Sequence, residues 1–125
     1  MYKDFFIVGI GSFLGGGLRF LVSRAVQASI TLTFPLGTFI INVVGCLLIG
    51  FFSGLSLNGV GMSPSVKLFL TTGLCGGFTT FSTFMNENGS LLRDGNYLYA
   101  AIYVSASLFL GLLALVFGNQ LAKLF

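Results

Sequence analysis

Charged residues are scarce in this sequence, and their scarcity restricts the class of protein. Only 7% of the 125 residues are Asp, Glu, Lys or Arg, whereas about a quarter of the residues in a soluble protein are charged. A chain this poor in charge cannot cover a water-facing surface, and its mean hydropathy of +1.00 indicates that it faces lipid, a partner chain or both. The six basic residues are scattered singly, which argues against a nucleic-acid interface and favours anchors at a membrane surface.

Side chains that bind metals or carry redox chemistry are also nearly missing. The sequence has no His, and its two cysteines, Cys46 and Cys75, both fall within apolar runs. No second acidic residue stands near Glu87. These absences argue against a side-chain metal cluster, a structural disulfide and a thiol metal site. No nucleophile–base pair is visible, so the sequence does not indicate an enzyme.

Four long apolar runs dominate what remains. A helix that crosses a bilayer needs about 20 mostly apolar residues. The runs predict one all-α membrane domain, residues 1–125, with four transmembrane helices at about 5–26, 35–57, 64–85 and 97–118. Arg19 interrupts the first run and no small-residue cleavage site follows it, which favours a retained helix over a signal peptide.

The predicted connections between the runs are short and contain turn-forming residues. Residues 33–35 open the second helix, and Ser63-Pro64 is an N-cap followed by proline at the first helical position. Residues 58–61 are predicted to end the second helix and form a connection before the third helix. The polar stretch 86–96 is predicted as the last connection, with its turn at residues 93–95.

The basic residues are almost evenly divided between the two sides of the predicted bundle. Four spans put both termini on one side, where Lys3, Lys67 and Lys123 lie, and leave the arginines on the other, with Arg19 deeper in the membrane. The positive-inside rule needs an excess on one side to set the topology. The balance therefore favours insertion in both orientations and an antiparallel homodimer, while one orientation set by a weak bias stays open.

Small residues at helical spacing predict close helix contacts. Gly11-x3-Gly15 and Gly50-x3-Gly54 match the pattern that lets two membrane helices approach closely. The spacing alone does not say whether these contacts lie within one chain or between two copies.

The third run contains an unusual stretch, GLCGGFTTFSTF, from Gly73 to Phe84. Gly76-Gly77 weakens a helix by about 1 kcal/mol per residue relative to Ala, and four hydroxyl residues follow within residues 79–83. Irregular backbone at membrane depth is tolerated only inside protein or along a cavity. We therefore expect a helix broken near its middle, with carbonyls and hydroxyls pointing inward as in the ion sites of transport proteins. The alternative is an unbroken helix whose hydroxyls bond to carbonyls one turn earlier.

Other polar side chains in the apolar runs allow two interpretations each. Asn42 should face inward, where it either bonds a neighbouring helix or donates to a passing anion. Tyr103, Ser107 and Gly111 share one helix face and either line a narrow path or simply pack. Arg19 either reaches to the membrane surface or forms a positive vestibule for anions.

Two phenylalanines, Phe81 and Phe84, lie one helical turn apart just beyond the expected break. The ordinary reading is contact with lipid or with the core. An aromatic ring also has a positive edge, so that two ring edges beside a path could contact an anion that has shed its water.

The residues that carry these patterns resemble one family. The stretch from Gly73 to Phe84 closely resembles the signature of the Fluc or CrcB fluoride channels. Gly37-Thr38-x3-Asn42-x2-Gly45 resembles their second-helix motif, and Gly11-x3-Gly15-x3-Arg19-Phe20 resembles their first-helix motif. The match runs over essentially the whole chain.

The resemblance implies a fluoride-selective passive channel that exports toxic cytoplasmic fluoride through the cell membrane, built as an antiparallel, dual-topology homodimer with two pores. It implies a structural Na+ at the dimer interface, held by backbone carbonyls that are here those of Gly76 and Thr79. Arg19 is implied to belong to the vestibule, and Glu87 resembles an acidic residue near the pore mouth. The implied fluoride-pore residues are Phe81, Phe84, Asn42, Ser107, Tyr103, Thr80 and Ser82.

The main rival is a proton-coupled, dual-topology exporter of the small multidrug kind. Such a protein needs an ionisable group deep in the membrane to exchange protons. No Asp, Glu or His lies in the deep part of any predicted span, and Glu87 falls at the end of the third. This distribution favours passive conduction.

Overall fold

The computed structural model describes residues 1–29, 34–57, 59 and 61–125, and all regular structure in them is helical. The helices are α1 (Tyr2–Ser29), α2 (Leu36–Leu57), α3 (Pro64–Leu68), α4 (Gly76–Phe78), α5 (Ser82–Arg93) and α6 (Tyr97–Ala122), and a π-helical stretch (Phe69–Cys75) joins α3 to α4. The prediction of an all-α protein is confirmed. The predicted connections at Thr33, Asn58 and Val60 lie outside the described residues.

Within the described part of the chain, α1, α2 and α6 are long and apolar enough to cross a membrane. Helix α1 has 28 residues, which is about 42 Å at 1.5 Å per residue and exceeds a hydrocarbon layer of about 30 Å. Large apolar side chains remain exposed along these helices, such as Phe13 at 79% and Leu112 at 66%. Lipid or another chain must cover such a surface.

The third helical segment, residues 64–78, ends inside the protein. It begins at an N-cap, where the Ser63 hydroxyl accepts a hydrogen bond from the Val66 amide at 3.2 Å. The backbone becomes extended at Thr79, with φ −84° and ψ 160°, and helix resumes at Ser82. Residues 79–81 are called the break below. They confirm the prediction of a helix interrupted in its middle.

The interruption lies just beyond the glycine pair that was expected to cause it. Gly76 and Gly77 are both helical, in α4. A Cβ at Gly77 would lie 2.6 Å from the Ser12 carbonyl oxygen of α1, which leaves no room for a side chain. Gly77 therefore serves close packing against α1, and the irregular backbone is formed by Thr79, Thr80 and Phe81.

Helix α5 continues to Arg93, so the prediction of a polar connection is wrong for residues 86–93. The physical reason is that this polar stretch is amphipathic: Phe84, Asn88 and Leu91 form a buried stripe, and Phe84 and Leu91 pack with residues of α6. The chain then turns at Gly95, whose φ of 78° lies in the region that favours glycine.

The helices pack in two close pairs, α1 with residues 64–78 and α2 with α6. A Cβ at Gly11 would lie 2.9 Å from the Cα of Gly73, and one at Gly50 would collide with the carbonyl oxygen of Leu115. Both predicted small-residue pairs therefore serve contacts within the chain. Because α1 and α2 also touch each other, the break is reached by side chains from both.

Candidate functional site

A cavity of about 370 Å³ lies beside the break, between α2 and α6. It brings together five of the predicted pore residues and both predicted carbonyl ligands. Its walls are mostly apolar, and its polar lining residues carry hydroxyl or amide side chains. The lining residues are Asn42, Gly45, Cys46, Ile49, Cys75, Gly76, Thr79, Thr80, Phe81, Phe84, Ser107 and Leu108.

Asn42 clamps the backbone of the break. Its Nδ2 donates to the Thr80 carbonyl at 3.0 Å, and its Oδ1 accepts from the Thr80 amide at 2.8 Å. Of its two readings from sequence, the bond to a neighbouring segment is therefore the one found. The amide still has one N–H left for a ligand, since an amide carries two donors.

Arg19 also reaches the break, from α1. Its Nε donates to the Gly77 carbonyl at 3.2 Å, and the side chain is half-buried. The carbonyl of Gly77 would accept from the Phe81 amide in a continuous helix, so Arg19 replaces a backbone donor that the break removed. The guanidinium thereby places a positive charge next to the irregular backbone.

Two carbonyl oxygens of this region have no donor in the part of the chain that the structure describes, those of Gly76 and Thr79. The amide that would pair with Gly76 belongs to Thr80, and it bonds to Asn42 instead. The amide that would pair with Thr79 belongs to Thr83, and it bonds to the Thr80 hydroxyl at 3.3 Å. Gly76 is exposed and Thr79 is half-buried, and both oxygens are free to accept a ligand.

The two phenylalanines differ sharply in exposure. Phe84 is 7% exposed and Phe81 is 72% exposed, and their ring centroids are 6.2 Å apart with a tilt of 44°. Phe84 also makes an edge contact with Tyr103, at 4.8 Å between centroids. The three rings form a continuous row that runs from the cavity into the core.

Hydroxyl groups at the site are only partly occupied. Thr79 Oγ1 donates to the Cys75 carbonyl at 3.0 Å, as in the alternative of a bond one turn back. The buried Ser107 Oγ has no hydrogen-bond partner among the described residues, and Ser107 is one of the residues that line the cavity. Ser82 is exposed and does not line the cavity.

Glu87 is the residue whose role the sequence did not reveal. Its carboxylate accepts from Tyr103 Oη at 2.8 Å and from Thr38 Oγ1 at 3.0 Å. Tyr103 is fully buried and Thr38 is 3% exposed. Tyr103 thus lies behind Phe84, outside the cavity lining, and its hydroxyl donates a hydrogen bond to Glu87. These three residues lie on α5, α6 and α2, so no local spacing pattern connects them.

Several apolar helices of membrane-spanning length, with a cavity between two of them that polar side chains help to line, define a multi-pass membrane protein. The family model described as "CrcB-like protein, Camphor Resistance (CrcB)" matches residues 6–119. The chain belongs to the CrcB family.

Relatives of this chain are named fluoride-specific ion channel FluC. One from Chlorobaculum tepidum is 52% identical over 122 residues, covering 98% of this chain and 96% of its own. One from Chlorobium phaeobacteroides strain BS1 is 50% identical over 98% of this chain and 95% of its own. One from Flavobacterium psychrophilum is 46% identical over 97% of this chain and 98% of its own.

Proposed function

We propose that this protein is a passive, fluoride-selective channel of the cell membrane that exports fluoride. The observation that carries the proposal is similarity over nearly the whole chain to relatives named fluoride-specific ion channels. The cavity supports it, because its described lining contains neutral polar groups and neither a carboxylate nor a basic side chain. A path without a titratable carboxylate suits passive conduction better than proton exchange.

The pore roles follow from which groups can replace the water of a fluoride ion. The Ser107 hydroxyl and the spare N–H of Asn42 are neutral donors at the cavity. The Thr80 hydroxyl accepts from the Thr83 amide and keeps its proton for a ligand. The ring edges of Phe81 and Phe84 add weak positive contacts, which allow an ion to leave again.

Residues outside the cavity have supporting roles in this proposal. Tyr103 lies one helical turn from Ser107, behind Phe84, and its hydroxyl donates to Glu87 away from the cavity. Ser82 lies at the pore only if another chain covers its exposed side. Arg19 supplies positive charge for a vestibule that attracts anions.

The functional unit in this proposal is an antiparallel homodimer with two pores. Each chain forms one domain, residues 1–125, with four spanning helices, the third of which is interrupted by the break. Phe81 at 72% exposure and the exposed Gly76 lie at the edge of the cavity, so that a second chain would complete its wall. The even distribution of Lys and Arg supports opposite orientations of the two chains.

A structural Na+ at the dimer interface is also part of the proposal. The carbonyls of Gly76 and Thr79 fit it, since hard cations prefer oxygen ligands and neither oxygen has a donor among the described residues. One chain offers too few ligands for a closed site, and a second copy would supply the matching pair. When bound, the ion would supply positive charge and join the two chains.

The test is fluoride efflux from liposomes that contain the purified protein, followed with a fluoride electrode after valinomycin is added to carry K+. We expect rapid fluoride release and no chloride release from matched chloride-loaded liposomes. Release that requires an imposed pH gradient would favour the exporter, and release equal to that of protein-free liposomes would contradict a channel.

A further inference from the structure

The break competes with a continuous helix for the same backbone donor. In a continuous helix the Thr80 amide would donate to the Gly76 carbonyl. Here it donates to Asn42 Oδ1 at 2.8 Å, so the Gly76 oxygen is free because a side chain of α2 has taken its partner. Asn42 Nδ2 holds the other side of the same residue, the Thr80 carbonyl, at 3.0 Å.

A second side chain occupies a different carbonyl oxygen next to the break. Arg19 Nε bonds the Gly77 oxygen at 3.2 Å, and it does so with a positive charge that would also repel a cation. Asn42 and Arg19 together leave the oxygens of Gly76 and Thr79 without donors in the described chain.

We infer that Asn42 and Arg19 are positioning residues that select which carbonyls of the break form the cation site. The inference rests on the cation site of the proposed function. Asn42 keeps the Thr80 amide away from Gly76, and Arg19 excludes the Gly77 carbonyl from coordination. Both side chains act through the backbone and would not coordinate the ion themselves.

Two substitutions of Asn42 separate this role from the pore role. Asn42→Asp keeps an oxygen that accepts from the Thr80 amide, so the Gly76 carbonyl stays free, but it loses the donor to the Thr80 carbonyl and adds a negative charge beside the anion path. Asn42→Leu has no acceptor, so the Thr80 amide returns to Gly76. We expect Asn42→Asp to slow fluoride efflux and keep the sodium response, and Asn42→Leu to lose the sodium response.

The sodium response is measured as the thermal unfolding temperature of the purified protein in detergent, titrated with NaCl or KCl at constant ionic strength. An ion that binds only the folded state raises this temperature. Loss of a residue that orients a metal ligand lowers metal affinity about 10- to 100-fold, and we expect this for Asn42→Leu. Arg19→Leu frees a third carbonyl and should reduce the preference for sodium over potassium, whereas Arg24→Gln, on the same helix but away from the break, should not.

A distance measurement distinguishes failure of this inference from failure of the cation site. Spin labels at the exposed positions 72 and 85 flank the break, in a chain with Cys46 and Cys75 replaced by Ser and diluted with unlabelled protein. Asn42→Leu should shift the intrachain distance as the helix closes, and Asn42→Asp should not. If the parent shows no sodium response but the shift occurs, the cation site is wrong and Asn42 still holds the break. If Asn42→Leu keeps both the sodium response and the parent distance, the inference is overturned.

Discussion

Phe81 is an apolar side chain whose ring is largely uncovered at the edge of the cavity. Because it is 72% exposed in the single chain, changing it to Ile removes little burial within the chain. The ring edge is lost, however, and Ile has no quadrupole to replace it. We expect Phe81→Ile to abolish or strongly reduce fluoride efflux without lowering the yield of folded protein.

Phe84 should show the same functional loss with a cost in stability. It is 7% exposed and packs in the core with Tyr103, so Phe84→Ile should also reduce the free energy of unfolding, by less than about 1.5 kcal/mol if the core repacks. Phe13→Ile is the matched control, since Phe13 is 79% exposed and lies on α1. Parent efflux rates in both Phe81→Ile and Phe84→Ile would show that the rings only pack.

The bond between Tyr103 and Glu87 predicts a measurable loss of stability. Tyr103→Phe leaves the carboxylate of Glu87 with one donor fewer, and a hydrogen bond to a charged group contributes about 1.5–3 kcal/mol. We expect a clearly lower unfolding temperature for this variant. Tyr97→Phe makes the same chemical change at a residue that is 68% exposed and should leave the temperature unchanged; an equal drop in both variants would argue against the bond.

At the scale of helices, α2 and α6 approach closely because glycine has no side chain at their contact. A Cβ at Gly50 would collide with the Leu115 carbonyl oxygen, whereas one at Gly17 on α1 would meet nothing within 4 Å. We expect Gly50→Val to separate these helices, at a cost of about 1–3 kcal/mol or more, and to reduce the monodisperse fraction in size-exclusion chromatography. Gly17→Val should elute as the parent does, and a normal profile for Gly50→Val would mean that the contact is not needed.

The helical elements could be predicted from the sequence because membrane helices consist of long apolar runs. The interruption of the third was also predicted, since Gly76-Gly77 and four hydroxyls are out of place in an ordinary span. The predicted position of the interruption was wrong by a few residues. Gly77 is needed because the Ser12 backbone packs against it, and no local sequence pattern reveals that contact. The helical character of residues 86–93 was missed for a related reason, as their buried stripe depends on α6.

The site was only partly predictable, because its contacts join residues that are far apart in the sequence. Asn42 was correctly expected to face inward, because an amide exposed to lipid is costly. Its bonds to Thr80 could not be chosen over contact with an anion until the break was seen. Glu87 gave no usable signal, since its partners Thr38 and Tyr103 are far away in sequence.

For the whole molecule, the even distribution of basic residues predicts two orientations in one membrane. A single cysteine at Leu124, which is 77% exposed, in a chain with Cys46 and Cys75 replaced by Ser, should react with a membrane-impermeant maleimide from both sides. We expect comparable labelling from inside and outside of intact vesicles. Labelling from one side only would rule out dual topology.

Additional positive charge provides the control for that experiment. Substituting Lys for Asn119 and Gln120, near the same end of α6, should bias the chains toward one orientation and reduce labelling from the other side. Unchanged two-sided labelling would indicate that the reagent crosses the membrane.

The side-chain hydrogen bonds to residues 77 and 80 also bear on the order of events during membrane insertion. The irregular backbone of residues 79–81 depends on Asn42 from α2 and Arg19 from α1, and an unpaired backbone group in lipid costs several kcal/mol. While the third segment enters the bilayer alone, the continuous helix is the form that pairs its own amides and carbonyls. We therefore expect the third segment to enter the membrane as a continuous helix, and the interruption to form after insertion, once the side chains of the first two helices reach residues 79–81.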